Sequence, residues 1–135
     1  MFKVIFMKRA GGISVFLFFL ILFFLVSSCA TQRLQLYKDG KPLKLSEYEK
    51  LALKEYTEGR YENAIKVYQA ILKNYSSETY AVVWAWYEIG YCYYMMKNYP
   101  EAEKAFRKVI NEYQDPAAKR LAQEMLGRII EEKKS

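Results

Sequence analysis

The chain contains no histidine and only two cysteines, Cys29 and Cys92, among its 135 residues. Histidine is the commonest metal ligand and a frequent general base, and no other residue cluster here has the spacing of a metal site. A serine–histidine–aspartate set and a glycine-rich phosphate-binding loop cannot be assembled either. We therefore expect no metal, no cofactor and no catalytic machinery of these kinds.

Acidic residues are missing from the whole N-terminal part of the chain, where the first is Asp39. Three basic residues, Lys3, Lys8 and Arg9, lie near its start. Residues 13–26 follow and are all apolar except Ser14. An apolar run of 14 residues fits the core of a secretory signal peptide, whereas a membrane-spanning helix needs about 20. The pattern predicts a signal peptide over residues 1–28.

Small residues precede Cys29 directly after the apolar run, in the order Val26-Ser27-Ser28-Cys29. This tetrapeptide resembles a bacterial lipobox. The resemblance implies cleavage before Cys29, lipid attachment to its sulfur and, because Ala30 is not aspartate, a periplasm-facing position on the outer membrane. Two alternatives remain open: a plain signal peptide, or an uncleaved anchor in which Cys29 is an incidental small residue.

The formal net charge of +6 overstates the basic character of the exported part. The predicted signal peptide holds three of the 21 basic residues and none of the 15 acidic ones, which leaves an excess of three positive charges. This excess is too small and too evenly spread to favour nucleic acid as a partner. Cys92 lies in an apolar segment and is expected to be a small buried hydrophobe.

Residues 29–45 are predicted to be a lipid-attached tether that contains a turn, because Asp39-Gly40 and Lys41-Pro42 are turn signals. Its leucines leave open whether the segment forms a short hairpin or packs on the domain. They are Leu34, Leu36, Leu43 and Leu45.

From residue 46 onward, apolar residues recur at steps of three and four, which predicts helices. Ser46 and Glu49 have the spacing of a capping box. Asp115-Pro116 offers an N-cap carboxylate followed by a proline in the first turn. Five helices joined by short loops predict an all-α domain over residues 46–135 with antiparallel neighbours.

The helical region repeats itself with an offset of 38 residues, since residues 61–72 align with residues 99–110. The last helix repeats the third at an offset of 37. The aligned residues include Ala64 with Ala102, Tyr68 with Phe106, and Leu126-Gly127 with Ile89-Gly90. Self-similarity at such a period is typical of stacked helical repeats.

The second unit carries Trp86-x₂-Ile89-Gly90-x₂-Tyr93 followed by Ala102-x₃-Phe106. This pattern resembles the tetratricopeptide repeat. The first unit matches less well, with Tyr48 in place of the tryptophan and Glu55 in place of the tyrosine. The period is longer than that repeat's 34 residues, and the proline that usually ends a unit is missing after Tyr75.

The resemblance implies a right-handed solenoid of antiparallel helix pairs with about two and a half repeats. Its units are expected at residues 46–75 and 79–113, with a terminal helix at 116–133. The longer period is similar to that of outer-membrane lipoproteins that scaffold envelope assembly, including the Tol-Pal-associated type. The chain lacks the N-terminal coiled coil of the latter.

Residues 81–96 hold a single charged side chain, Glu88, and so predict a helix that is covered on more than one side. One stripe, around Trp86 and Gly90, is expected to face the fourth helix, with Gly90 allowing a close approach. A second stripe maps to the face that is concave in tetratricopeptide arrays, and the resemblance implies partner binding there. Its residues are Trp84, Tyr87, Glu88, Tyr91, Tyr94 and Met95, flanked by Lys50, Leu53, Tyr56 and Arg128. Two alternatives remain open: these aromatic residues cover core surface, or they meet the tether.

These patterns favour a lipid-anchored interaction module for one or more envelope proteins, with self-association as a further expectation because two and a half repeats are few. The alternative is a lipoprotein that binds a glycan or another small ligand in the tyrosine-rich groove. Catalysis is not expected. It would require Glu88 to act as an acid, with Glu124, Glu131 or Glu132 as the second carboxylate. If Glu88 is not catalytic, it is expected to pair with Lys50 or Arg128 or to face the groove.

Overall fold

A computed structural model describes residues 33–134, and the residues from Leu34 onward form one compact unit. The predicted signal peptide and Cys29 lie outside the described residues. The elements are β1 (Tyr37–Lys38), β2 (Lys41–Pro42), α1 (Leu45–Thr57), α2 (Tyr61–Asn74), α3 (Thr79–Met95), α4 (Tyr99–Glu112) and α5 (Pro116–Glu132). The prediction of five helices in an all-α fold of neighbouring pairs is confirmed.

The start of α1 differs from the predicted capping box of Ser46 and Glu49. The N-cap is Lys44, two residues earlier, and the backbone N–H of Lys44 donates to Glu47 Oε2 at 2.8 Å. Glu47 is therefore the capping carboxylate that was predicted at Glu49, since it accepts a hydrogen bond from the backbone N–H of the N-cap. The predicted cap at Asp115 is confirmed, because Ala118 N donates to Asp115 Oδ1 at 2.8 Å.

A buried carboxylate fixes the corner between α1 and α2. Glu55 is only 4% exposed, and it accepts hydrogen bonds from Arg60 Nε at 2.6 Å, Arg60 Nη2 at 3.0 Å and Asn63 Nδ2 at 2.9 Å. Gly59 lies between α1 and α2 and turns the chain at a φ of +72°, a value at which glycine is favoured. Glu55, which occupies the tyrosine position of the first unit, thus links the two helices through a salt bridge and hydrogen bonds.

Helix α3 lies at the centre of the domain and packs against α2, α4 and α5. No residue from 81 to 94 is exposed. The close approach to α4 occurs at Gly90, which faces the ring of the fully buried Phe106. The expectation that α3 is covered on several sides is confirmed, and this coverage explains why the segment carries so little charge.

A small hairpin closes the first end of the domain. Strands β1 and β2 pair antiparallel around Asp39 and Gly40, whose φ values of 51° and 73° suit a tight two-residue turn. Leucines on both sides of the turn pack against the cluster that contains Tyr48 and Ala52; they are Leu34, Leu36, Leu43 and Leu45.

Two phenol groups hold the backbone that flanks this hairpin. Tyr48, with 0% of its surface exposed, donates from its hydroxyl to Leu36 O at 2.7 Å, and Tyr75 donates to Leu43 O at 2.7 Å. From Leu34 onward, the segment predicted as a tether is therefore packed on the first helix pair. Among the helices within residues 33–134, none has the length and apolar character needed to cross a membrane.

Candidate functional site

Aromatic rings form a continuous row along one side of α3. Trp84 and Tyr87 have ring centroids 5.6 Å apart, Tyr87 and Tyr91 are stacked at 6.3 Å, and Tyr91 and Tyr94 lie 6.1 Å apart. Tyr56 of α1 joins the row at 5.9 Å from Tyr91. We call these five residues, Tyr56, Trp84, Tyr87, Tyr91 and Tyr94, the tyrosine face. It brings together the four aromatic residues of α3 that were predicted to line the concave side.

The row continues beyond the tyrosine face at both ends. Tyr80 lies 6.1 Å from Trp84 and is 71% exposed, while Tyr99 lies 6.0 Å from Tyr94. The rings also rest on the core, because Tyr87 packs 5.6 Å from Phe106. The tyrosine face therefore covers core surface and is partly open to solvent, whereas the N-terminal leucines pack on a different cluster.

Helix α5 flanks the tyrosine face with charged side chains. Arg128 Nη2 contacts Glu124 Oε1 at 2.7 Å. This bond raises the pKa of Arg128, with smaller contributions from Tyr94 and Tyr91. A cavity of about 380 Å³ lies beside them, lined by Tyr94, Arg128, Glu131 and Glu132. Arg128 thus borders the predicted surface.

Met95, predicted as part of the stripe, and the predicted flanking residues Leu53 and Lys50 lie at the solvent-exposed edges. Leu53 of α1 is 60% exposed, Met95 at the end of α3 is 40% exposed, and Lys50 is also exposed. Leu53 lies one helical turn before Tyr56, and its exposed apolar side chain extends the tyrosine face on α1. An accessible apolar margin of this kind is typical of a contact surface.

Glu88 lies in a separate cavity of about 210 Å³ between α1, α2 and α3. The cavity is lined by Glu49, Tyr68, Ile71, Tyr80, Ala81, Trp84, Ala85 and Glu88. Within residues 33–134, no hydrogen bond or ion pair engages the Glu88 carboxylate. The expected pair with Lys50 or Arg128 is therefore wrong, since Arg128 binds Glu124 of its own helix.

Burial shifts the titration of the groups around this site. It raises the pKa of Tyr87 and of Tyr56 to about 12, with nearby Glu88 adding to the shift of Tyr87 and Tyr91 to that of Tyr56. Both phenols therefore stay protonated and neutral in the physiological range. Burial also raises the pKa of the Cys92 thiol to about 12, which makes it an unreactive core residue.

The acids predicted as the second catalytic carboxylate do not line the cavity of Glu88; they are Glu124, Glu131 and Glu132. Burial raises the pKa of Glu88, as a general acid would require. Its nearest acidic neighbour around the cavity is Glu49, however, and Glu124 is held by Arg128. The residues from 33 to 134 contain no acidic or cysteine cluster able to hold a metal ion.

A larger groove on another side of α3 was missed by sequence reasoning. It has a volume of about 740 Å³, with Trp86, Ile89 and Tyr93 among its lining residues and charged side chains of α4 around them. Lys108 Nζ lies 5.0 Å from the centroid of the Trp86 ring, within range of a cation–π contact. Trp86 thus faces α4, as expected, but it is only partly buried. The contact between Trp86 and Lys108 joins two helices, so the sequence carried no signal for this groove.

The neighbouring helix pairs define a helical-repeat protein. Residues 44–77 and residues 83–115 each match a family model described as Tetratricopeptide repeat. The two matches support a tetratricopeptide-repeat protein, as the sequence pattern predicted. Comparison with curated proteins and with solved structures gives no match.

The signature residues of the repeats occupy the interior between paired helices. Five of them are buried: Ala64, Ile89, Gly90, Ala102 and Phe106. Three are partly buried at the borders of the clusters: Tyr68, Trp86 and Tyr93. These residues therefore build the scaffold, whereas the residues of the tyrosine face lie outside the repeat signature.

Proposed function

We propose that this protein is a lipid-anchored interaction module of a bacterial envelope, and that it binds a segment of a partner protein along the tyrosine face. The two tetratricopeptide-repeat matches support protein binding as the general role. The sequence at Cys29 supports the anchor. Outer-membrane localisation follows from the same lipobox resemblance and from Ala30.

The observation that carries the proposal is the row of rings from Tyr80 to Tyr99, which runs along α3 and receives Tyr56 from α1. Tyrosine and tryptophan present a large contact area with few rotatable bonds and are enriched where binding energy concentrates. Leu53 and Met95 add exposed apolar surface at its margins. A partner segment lying on this row would bury rings that the core covers only in part.

Crosslinking in intact cells tests the partner. A photoreactive amino acid at Leu53 or Met95 should trap the same protein, because both positions border the tyrosine face. The matched control is the same probe at Arg107, an exposed residue of α4. Because Arg107 also lines the groove beside Trp86, exposed Lys66 of α2 is a second control. Capture at Lys66 equal to that at Leu53 and Met95, or no capture at Leu53 and Met95, would contradict binding at this surface.

The anchor is tested separately from the binding surface. One acyl chain holds a protein on a membrane only marginally, whereas several hold it stably. Cys29→Ser should abolish incorporation of radioactive palmitate and release the protein from the membrane fraction. A mature protein with an unmodified thiol at its first residue would refute the lipid anchor and leave the tyrosine face unaffected.

Binding of a glycan or another small ligand is the second candidate, and the groove beside Trp86 favours it. Its volume of about 740 Å³ lies in the range of small-molecule sites, about 300–1,000 Å³. Because the chain has only two tryptophans, Trp84→Phe leaves Trp86 as the sole indole reporter. A peptidoglycan fragment that shifts its fluorescence would support this candidate, and an unchanged spectrum at saturating fragment would refute it.

We also propose that the module self-associates through α5. Leu126 and Gly127 of α5 align with Ile89 and Gly90, and a Cβ at Gly127 would meet nothing within 4 Å. Ile130, on the same side, is 53% exposed. Gel filtration should show a species larger than a monomer that Ile130→Glu reduces to a monomer, and a monomeric wild-type protein would refute the proposal.

A further inference from the structure

The cavity beside the tyrosine face has a one-sided charge. Glu49 of α1 and Glu88 of α3 line it, and no basic side chain does. The remaining lining consists of apolar and aromatic residues, with Tyr68, Tyr80 and Trp84 providing the rings. Acidic groups surrounded by aromatic rings form a site for a cation rather than for an anion.

The Glu88 carboxylate is partly withdrawn from water, and no positive group in residues 33–134 compensates it. A buried charge without a partner is costly, and the protein lowers the cost by holding the proton more tightly. Burial accordingly raises the pKa of Glu88. An incoming cation would relieve this cost, because it would supply the missing half of an ion pair.

The dimensions of the cavity restrict the ligand. Its volume of about 210 Å³ is below the range of about 300–1,000 Å³ that is usual for small-molecule sites. Tyr80, which is 71% exposed, borders the opening and contacts Trp84. A single side chain that projects from a longer segment fits this space, and the segment itself would continue along the adjoining tyrosine face.

We infer that this cavity receives an arginine side chain of the partner segment, with its guanidinium between Glu88 and Glu49 and its plane against Trp84 or Tyr80. Arginine suits the site better than lysine, because its planar guanidinium stacks on aromatic rings and binds carboxylates with two donors. This inference rests on the proposed function, since it names the chemistry of the partner at the same surface.

Fluorescence of the full chain in a non-ionic detergent tests the inference directly. Trp86→Phe leaves Trp84, which lines the cavity, as the only tryptophan. The probe is the tripeptide acetyl-Gly-Arg-Gly-amide, compared with the tripeptide in which neutral citrulline replaces arginine. We expect a saturable change in Trp84 emission with the arginine peptide, and binding of the citrulline peptide about tenfold weaker or less.

Matched glutamate variants identify the groups responsible. Glu88→Gln keeps the size of the side chain, and it should weaken binding of the arginine peptide about tenfold. Glu49→Gln, at an exposed position, should weaken it by a smaller factor, which gives a second reading if Glu88→Gln perturbs the fold. Glu62→Gln on the exposed surface of α2 is the control and should leave binding unchanged. Equal binding of both peptides, or no effect of either pocket variant, would overturn the inference.

The inference and the proposed function can fail independently. If the probes at Leu53 and Met95 trap a partner and Glu88→Gln does not reduce the yield, the surface binds a protein but the cavity does not take its arginine. If the arginine peptide binds while no partner is trapped, the cavity is a cation site, and the proposal that the tyrosine face binds a partner protein is refuted.

Discussion

Gly90 of α3 and Phe106 of α4 are in direct apposition at the closest approach of the two helices. A Cβ built on Gly90 would lie 2.8 Å from Phe106 Cε1 and 3.0 Å from Cδ1. Phe106 has 0% of its surface exposed, so its ring has no free space into which it can move. The glycine is thus required by packing between the helices.

Replacing this glycine with the smallest possible side chain should therefore destabilise the protein. Gly90→Ala gains up to about 1 kcal/mol in helix propensity, but overpacking against Phe106 costs about 1–3 kcal/mol. We expect a net loss of stability in urea denaturation followed by circular dichroism.

Gly127 of α5 is the matched control, because it holds the corresponding position and a Cβ there would meet nothing within 4 Å. At a concentration at which the protein is monomeric, Gly127→Ala should raise the free energy of unfolding by about 0.5–1 kcal/mol, since within one chain only the gain in helix propensity remains. Changes of the same sign in the two variants would contradict a packing role for Gly90.

Glu55 should make the stability of the domain sensitive to acid. The hydrogen bonds and charge of Arg60 hold the pKa of Glu55 below its ordinary value of 4.5. Its contribution is therefore complete above about pH 4.5 and is lost as the pH falls through the lowered pKa. Glu55→Gln should lower the free energy of unfolding by about 1–3 kcal/mol at pH 7, with a difference from wild type that shrinks in acid. A difference independent of pH would rule out the charge as its origin.

Glu88 should show the opposite dependence on pH. Because burial raises its pKa above 4.5, the folded state binds a proton more tightly than the unfolded state. This contribution is present below about pH 4.5 and is lost as the pH rises through the raised pKa. Glu88→Gln should therefore raise the melting temperature at pH 7 and leave it unchanged near pH 4. A lower melting temperature at pH 7 would show that the carboxylate has a stabilising partner in solution.

The hairpin should detach without unfolding the helices when its phenol hydrogen bonds are removed. Tyr48→Phe and Tyr75→Phe each delete a donor to a backbone carbonyl, at Leu36 and Leu43 respectively. Each should cost about 1 kcal/mol, and hydrogen exchange should accelerate in residues 34–45 before it does so in α3 and α4. Tyr80→Phe, at an exposed ring, is the control and should change neither quantity. Uniform acceleration across the domain would show that the hairpin and the helices unfold together.

The helices and their pairing were predictable because they depend on local signals. The step of three and four between apolar residues gives the helices, and the offset of 38 between residues 61–72 and 99–110 gives their repetition. The close approach of Gly90 to the fourth helix followed from the repeat pattern, and the cap at Asp115 followed from the pair Asp115-Pro116. The four aromatic residues of the tyrosine face on α3 were found from their spacing alone.

The remaining features depend on contacts between distant parts of the chain, which periodicity does not encode. The hydrogen bonds from Tyr48 to Leu36 and from Tyr75 to Leu43 depend on how the hairpin meets the first helix pair. The partial exposure of Trp86 depends on the space between α2 and α4, which the spacing of one helix does not reveal. The neighbour of Glu88 across the cavity, Glu49, lies 39 positions away in the sequence.

Helix α3 has no exposed residue between positions 81 and 94. Its sides either pack on another helix, carry the tyrosine face or line the groove beside Trp86. Every substitution in this segment therefore alters a packing contact, and a change that improves a contact on one side of the helix disturbs the packing on another. The binding properties of this protein should therefore diversify through α1 and α5, whose solvent-facing positions can vary freely, while the central helix changes slowly.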